Sequence, residues 1–297
     1  ARLRRQSQRW RIGSGVSRPA PRQQLRTRGT VLGVAWLVGV AVLSLGVPAW
    51  SLTRLLLESQ RSELDIGELV GAVVGSVSSS ILGAALALLL ALPIAALAAR
   101  YRSRIVRSIE GAAFLGHALP GVVVGLSLVF LTLAVLPAAY QTLAVLAFAY
   151  AVLFLPKAIG SSRSAIAHVP PGLESTARSL GRGPLRAWCT VTGRLAWPGI
   201  AAGTLLVVLT AMKELPATLM LRPTGFSTLA TELWSRTEIE AFGSAAPYAL
   251  TMIILASVPA WLMGRWLARS PETAPSTDRV DDEMVRTDEV AYVGGVR

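Results

Sequence analysis

Charged residues are scarce in this chain, and long stretches lack them altogether. Only 15% of the 297 residues are Asp, Glu, Lys or Arg, whereas soluble domains carry roughly 25%. A helix of about 20 apolar residues crosses a bilayer, so every long charge-free run is a candidate span. Buried core helices of a soluble protein rarely lack charge for so long, which argues against that class. The charge-free segments are 29–53, 69–99, 111–156, 195–212 and 241–264.

Cysteine, histidine and lysine are nearly absent as well. Cys189 is alone, so no internal disulfide is possible, and the two histidines are too few for a Cys/His metal cluster. The two lysines, Lys157 and Lys213, do not follow the glycines of a GxxxxGK[ST] phosphate loop. We therefore expect no cofactor, no resident metal and no ATP hydrolysis in this chain.

Intramembrane proteolysis is the distant alternative for a chain of this composition. A serine protease of that kind needs a Gly-x-Ser-Gly-like nucleophile beside a membrane-embedded His, and His117 has no evident partner of this type. An aspartyl protease needs two intramembrane Asp, but every Asp here lies in 51–68 or in the C-terminal tail. Neither chemistry is favoured.

The charge-free runs predict an all-α membrane protein built as a bundle of six transmembrane helices. The 46-residue run 111–156 is long enough for two of them, with a turn expected near Pro137 and Gln141. The expected helices are 30–50, 68–99, 110–136, 139–156, 198–221 and 245–267. Together they form a transmembrane domain that we place at 30–268.

Lysine and arginine predict the orientation of this bundle. Of the 29 Lys and Arg, 24 fall in alternate segments that would all lie on one side of the membrane. The positive-inside rule makes that side cytoplasmic, with both termini inside and an even number of spans. We therefore expect a multi-pass protein of the bacterial inner membrane. The net charge of +12 is then mainly a topology signal, and we expect no nucleic-acid partner.

The two ends of the chain differ from its centre. Residues 1–29 hold nine Arg with Pro and Gly, which is typical of a basic cytoplasmic linker, and we expect the chain to begin part-way through a longer polypeptide. Residues 269–297 are rich in acids without apolar periodicity. We expect this segment to be a mobile acidic cytoplasmic tail.

A long cytoplasmic loop, 157–197, is expected between the fourth and fifth spans. Pro170 and Pro171 can open a helix there, and Gly181 can close it in the left-handed conformation. Pro184 can start a second short helix. Such a helix–Gly–helix unit fits a groove on a cytoplasmic partner, or it lies on membrane lipid as an interfacial helix. The pattern alone does not choose between them.

The centre of this loop resembles the EAA motif of binding-protein-dependent ABC importer permeases. Gly181 takes the Gly position, Ala177 the second Ala and Val191 the Ile. Ser175 stands at the Glu position with Glu174 one residue earlier, and Thr176 stands at the first Ala. The resemblance implies that 172–196 docks on two cytoplasmic ATPase subunits that bind ATP and Mg.

Two further segments resemble the ferric-iron branch of this family. They are GHALPGVVVGLSLVF (116–130) and KELPATLMLRPTGFSTLATELWSR (213–236), and the similarity covers about 1–268. The resemblance implies a type I importer permease fold, a cargo of ferric iron and an extracytoplasmic substrate-binding protein. It also implies that this chain is the C-terminal half of a fused permease, beside an N-terminal half. Thiamine and polyamine permeases share the architecture and remain alternatives.

The end of the fifth span carries the candidate pathway residues Lys213, Glu214 and Pro216. Pro216 removes a backbone donor and clashes with the preceding turn, so we expect the helix to bend or break there. Lys213 and Glu214 point about 100° apart on a helix and do not pair with each other. They either border the translocation pathway or snorkel to the external interface. His117 either faces the pathway or hydrogen-bonds a neighbouring helix.

Overall fold

The computed structural model describes residues 27–58, 65–101, 103–116 and 119–269. Within these ranges every regular element is a helix. By its contacts the chain divides into two units, and the boundary along the chain falls between Ser51 and Leu52. In chain order the α-helices are α1 Thr27–Ala41, α2 Val47–Glu58, α3 Ile66–Arg100, α4 Arg104–Leu115, α5 Gly121–Val135, α6 Leu143–Ala167, α7 Pro171–Ser179, α8 Pro184–Ala187, α9 Arg194–Ala211, α10 Pro216–Leu221, α11 Leu229–Glu238 and α12 Phe242–Arg269.

The first long apolar helix is continuous, because the π-helical turn Val42–Gly46 joins α1 to α2. In the part that belongs to the first unit, large apolar side chains such as Trp36 are exposed. This helix is longer than the predicted span 30–50. Its length and composition suffice to cross a bilayer.

Five helical stretches of the described chain are long and apolar enough to span a membrane. The predictions 68–99 and 245–267 match α3 and α12 closely. The prediction of one helix over 110–136 is wrong. The chain there forms α4, which ends at Leu115, and then α5, an apolar helix of 15 residues that begins at Gly121 after the non-helical Leu119 and Pro120. Because this segment is apolar on both sides of Pro120, hydropathy does not register the break.

The fourth span extends further than predicted. α6 runs from Leu143 to Ala167 through Pro156, whereas 139–156 was expected. The first eleven residues assigned to the loop 157–197 are therefore helical and continue the span. Lys157 lies on this extension, with its ammonium 5.4 Å from the centre of the Phe154 ring, so its charge is placed over an aromatic face.

The helix–Gly–helix unit forms as predicted at its beginning. α7 starts at Pro171, Gly181 has φ +84°, and α8 starts at Pro184. The second helix is not a short separate one, however. A π-helical turn, Trp188–Gly193, joins α8 to α9, so helical backbone continues from the loop into the fifth span.

The core is built on close packing of α3, α6 and α9. Small residues permit this approach: Gly83 of α3 lies against the ring of Tyr150, and a Cβ on it would come within 2.5 Å of that side chain. On α9, Gly199 and Gly203 lie against Ala165 and Ser161 of α6. Helices in lipid associate through such close backbone contacts, because lipid tails are as apolar as the side chains they would release.

Candidate functional site

The candidate site is formed by two broken helices whose breaks face each other. The described residues Leu119 and Pro120, just before α5, are not helical, and the chain between α9 and α10 is broken at Met212–Leu215. α5 and α10, which follow the breaks, pack together: a Cβ on Gly125 would lie 3.1 Å from the Cα of Ala217. Broken membrane helices leave unpaired backbone groups, which are tolerated only where they meet protein or line a cavity.

Pro216 is the first residue of α10. Proline is favoured at this position, because the first N–H of a helix has no intrahelical partner and the ring already holds a helical φ. The predicted break at Pro216 is confirmed: α9 ends at Ala211 and a new helix starts four residues after Met212.

The carboxylate of Glu214 lies between the starts of α10 and α5. Its Oε1 accepts a hydrogen bond from the N–H of Ala217 at 3.3 Å. A Cβ built on Gly121, the first residue of α5, would lie 2.6 Å from the same oxygen. The start of α10 therefore donates an N–H to this half-buried carboxylate, and the first residue of α5 lies beside it. Sequence reasoning selected Glu214 but not Gly121 as its neighbour.

Contacts with α6 fix how deep this site lies. Gly203 packs against Ser161, and Thr218 hydrogen-bonds Tyr150 at 2.6 Å. Glu214 lies between these two contacts along the chain. α6 has 25 residues and is about 37 Å long at 1.5 Å per residue. Thr218, whose hydroxyl donates to Glu214 O, contacts Tyr150, so the site lies near Tyr150, about 10 Å from the start of α6.

A polar cluster extends from Glu214 into the core. Thr218 Oγ1 donates to the backbone carbonyl of Glu214 at 2.5 Å and also contacts the hydroxyl of Tyr150. On α3, the hydroxyl of Ser79 donates to Gly75 O at 2.7 Å. Ser80 is fully buried, and its hydroxyl has no hydrogen-bond partner among the described residues.

The other candidate pathway residues are placed as follows. Lys213 is exposed and lies at the break itself. His117 lies outside the described residues. The structure thus brings Lys213, Glu214 and Pro216 together beside Gly121.

Of the six candidate docking residues, four lie on α7, Gly181 follows α7 in the connection to α8, and Val191 lies in the π turn. Ser175, Thr176 and Gly181 are exposed, whereas Ala177 is buried and Val191 is half-buried. Glu174 points inward, because its Oε2 accepts a hydrogen bond from Thr192 at 3.0 Å. Ala177 of α7 faces the protein, whereas Leu173 of α7 and Leu180 just after it are exposed.

Sequence reasoning missed a charged cluster where α3 begins. Arg236 donates to Glu68 at 2.7 Å and to the Tyr248 hydroxyl at 2.9 Å. Glu232 lies one turn before Arg236 on α11, with an Arg236–Glu232 N···O distance of 3.8 Å. Only this i, i+4 spacing could have been read from the sequence. A cavity of about 570 Å³ lies beside this cluster and includes Glu68, Glu232 and Arg222 in its lining.

The described residues contain no group of three or more His, Cys, Asp or Glu that could hold a metal ion. The Glu214 site therefore offers one carboxylate and a helix N-terminus rather than a ligand cage.

The comparisons with known proteins agree with this architecture. Residues 91–270 match the family described as binding-protein-dependent transport system inner membrane component. The chain is 34% identical over 256 residues to the Fe(3+)-transport system permease protein FbpB 2 of Haemophilus influenzae. The match covers 86% of this chain and 51% of that protein, so the chain spans about half the length of this curated relative.

Solved structures share the fold at low sequence identity. A bacterial alginate ABC transporter, crystallised with an alginate-bound periplasmic protein, matches 83% of this chain and 96% of its own, with a TM-score of 0.57 and 16% identity. The MetNI methionine ABC transporter in inward-facing conformations matches 67% of this chain and 94% of its own, with a TM-score of 0.55 and 15% identity. The fold is that of type I ABC importer permeases, and the chain belongs to the family of binding-protein-dependent transport system inner membrane components.

Proposed function

We propose that this chain imports ferric iron as one half of the permease of an ATP-driven, binding-protein-dependent transporter. The observation that supports ferric iron as the cargo is the 34% identity to a permease named for Fe(3+) transport. The extracytoplasmic binding protein supplies affinity for the cargo, and this chain supplies half of the path. An N-terminal permease half, encoded in the same polypeptide, supplies the other half.

The facing helix breaks support a pathway role for Glu214. The carboxylate lies near Tyr150, about 10 Å along α6 from its first residue, rather than at the end of that helix. An ionised group at membrane depth is costly unless protein or a water-filled cavity surrounds it. Here the hydrogen bond from the N–H of Ala217, at the start of α10, offsets part of that cost. A lone carboxylate attracts a hard cation without trapping it, as a conduit requires.

The exposed leucines of the loop support docking on ATPase subunits. Leu180 and Leu185 are 78% and 76% exposed on either side of Gly181. Exposed apolar side chains within a basic surface are typical of an interface with a protein groove. ATP and Mg would be bound by those partner subunits. With α7 on the cytoplasmic side, both termini are also cytoplasmic, in a multi-pass protein of the bacterial inner membrane.

The cargo is tested by uptake in iron-starved cells that lack the full-length gene. We expect ferric iron uptake to be lost and then restored by the gene, with thiamine and polyamine uptake unchanged. A thiamine or polyamine defect with normal iron uptake would keep the importer but replace its cargo.

Variants of Glu214 separate its charge from its capping role. Gln keeps an oxygen for the N–H of Ala217 but removes the charge, whereas Ala removes both. We expect Glu214→Gln to lower iron uptake by roughly tenfold, or about 1.4 kcal/mol, at normal expression. Glu238→Gln, which neutralises an exposed acid on α11, is the control. Normal uptake by Glu214→Gln with a defect in Glu214→Ala would assign Glu214 to helix capping alone.

Docking is tested by copurification of the ATPase subunits with the full-length permease. Leu180→Asp places a charge in the apolar contact and should reduce recovery of the ATPase. Leu180→Met keeps the position apolar and should not. Equal recovery with both variants would place Leu180 on lipid instead, as an interfacial helix requires.

A further inference from the structure

Arg100, the last residue of α3, contacts three segments that meet at the base of the loop. Its guanidinium donates to Val169 O at 3.1 Å, in the connection between α6 and α7. It also reaches Thr192 Oγ1 at 3.5 Å, in the π turn that leads into α9. The Oε2 of Glu174, on α7, lies 3.9 Å from the same guanidinium. One side chain thus links the ends of α3, α6, α7 and α9.

The local sequence favours this arrangement. Arg100 lies in the last turn of α3 and Glu174 in the first turn of α7, where each charge opposes the dipole of its own helix. Thr192 donates its hydroxyl to Glu174 at 3.0 Å and so closes the cluster. The side chains of Arg100 and Glu174 are 18% and 23% exposed. An ion pair this sheltered is screened less by salt than a surface pair.

A small apolar core fixes the surroundings of this cluster. It is separate from the larger core around Tyr150, and Trp188 of the π turn packs against it. Because the core draws residues from three long helices, a force applied to α7 through Arg100 reaches all of them. The buried members are Ala95 of α3, Ile166 of α6, Val169 of the connection, and Ala196 and Ile200 of α9.

We propose that Arg100 is the positioning residue that transmits movement of α7 to the permease helices, acting through Glu174 and Thr192. Glu174 is engaged inside this chain and so holds α7 in place, while the exposed face of α7 meets the ATPase. This inference rests on the proposed docking of α7 on ATPase subunits. The inference adds the contact inside this chain, from Glu174 and Thr192 to Arg100, through which that docking moves α3 and α9.

The test uses the full-length transporter with its ATPase subunits in proteoliposomes, supplied with binding protein and ferric iron. Arg100→Lys keeps the charge but loses the planar fork that reaches several partners at once. Glu174→Gln keeps an acceptor for Thr192 but loses the ion pair. We expect each variant to lower iron transported per ATP hydrolysed by roughly fivefold or more, within the usual range of coupling between sites. Arg163→Lys is the matched control, since Arg163 pairs with Glu110 away from α7.

The double variant is decisive. If Arg100 acts through Glu174, the two losses should not add. The double variant, Arg100→Lys with Glu174→Gln, should then transport at least as much iron per ATP hydrolysed as the less active of the two single variants. The proposal would be overturned if the double variant showed the product of the two single losses. It would also be overturned if the single variants transported as much iron per ATP as the Arg163→Lys control. Loss of assembled complex with an unchanged ratio in what remains would overturn it too, because that result describes structural support only.

A second measurement requires neither cargo nor ATPase, so it tests Arg100 even where iron transport or docking fails. Spin labels at Ser175, exposed on α7, and Leu89, exposed on α3, report the position of α7 in the full-length protein. Cys189 is replaced by Ser in every sample. Arg100→Lys should broaden the distance distribution relative to wild type and to Arg163→Lys. An unchanged distribution would contradict the inference whatever the cargo.

Discussion

Gly121, at the start of α5, lies directly against the carboxylate of Glu214, which belongs to the facing break before α10. A Cβ at Gly121 would come within 2.6 Å of Oε1 of that carboxylate. The glycine thus leaves the space in which the acid rests. The two residues are 93 positions apart, and only the folding of both breaks brings them together.

Gly121→Ala should move the Glu214 carboxylate without unfolding the protein. The conflict is with the flexible end of a side chain, which can rotate away, rather than with backbone. We expect normal expression and iron uptake reduced in the same direction as in Glu214→Gln. Gly111→Ala is the control, because a Cβ there meets nothing within 4 Å. Wild-type uptake by Gly121→Ala would show that the position of this carboxylate is unimportant for transport.

Gly75→Ala should destabilise the protein where α3 meets the chain before α11. A Cβ at Gly75 would overlap the backbone carbonyl of Ser227, and backbone can yield only by shifting the whole segment. Overpacking of this kind costs about 1–3 kcal/mol. The neighbouring Gly71 has open space around it, so Gly71→Ala should be neutral or slightly stabilising. Thermal unfolding of the purified protein measures both, and equal midpoints would contradict the close contact.

Tyr150→Phe should weaken the link between α6 and α10. The phenol and the Thr218 hydroxyl are 2.6 Å apart and buried. A typical buried hydrogen bond contributes about 1 kcal/mol net, so we expect a loss of that size in the free energy of unfolding. Tyr140→Phe is the control, because Tyr140 is only partly buried and its hydroxyl makes a longer contact, 3.5 Å, to Met220 O. A loss in Tyr140→Phe as large as in Tyr150→Phe would argue against a special role for the Tyr150 contact.

Glu232 should make stability depend on pH. Burial raises the pKa of its carboxyl above the ordinary value of 4.5, and the neighbouring Glu68 raises it further, while Arg236 and Arg222 lower it. The folded protein therefore holds this proton more tightly than the unfolded chain. Its contribution to stability is complete below pH 4.5 and is lost as pH rises through the raised folded value.

Thermal unfolding midpoints measured across that pH window test the role of Glu232. In Glu232→Gln the carboxyl is absent, so the midpoint should fall less with rising pH than in wild type. Glu238→Gln removes an exposed acid of the same helix and should leave the wild-type slope. If both variants keep that slope, another group is responsible.

The positions of the long helices follow from the sequence because hydropathy is a local property. The runs that became α3 and α12 exceed the width of a bilayer, and no tertiary contact is needed to recognise them. Gly181 and Pro184 were predictable for a similar reason, since each acts on its own backbone. Each of these features is determined by the local sequence and does not depend on tertiary contacts.

The effect of a proline on its helix could not always be predicted from the local sequence alone. Pro93 and Pro156 lie inside continuous helices, whereas Pro120 and Pro216 precede or begin new ones. A kinked helix survives where neighbouring groups satisfy the freed carbonyls, and those neighbours are set by tertiary structure. The break at Pro216 could be expected from the two charges before it, but the break at Pro120 had no such signal.

The ion pairs were beyond prediction for the same reason. Arg100 and Glu174 belong to separate helices, as do Arg236 and Glu68, which are 168 residues apart. The sequence shows only that each is charged. The inward direction of Glu174, and hence its distinction from the exposed Ser175, depends on how α7 packs against the π turn.

The π turn Trp188–Gly193 also determines how the helical segment before it is rotated about the helix axis relative to the segment after it. A π turn holds about one more residue than an α turn, so everything before it is rotated by about 100° relative to everything after it. Leu185 lies before this turn and Glu214 beyond it, at the other end of α9. The direction in which the proposed docking surface around Leu185 points is therefore set independently of the face that α9 turns toward α6. Deleting one residue within 188–193 would turn that surface by roughly a quarter of a circle while leaving the Glu214 site in its original orientation.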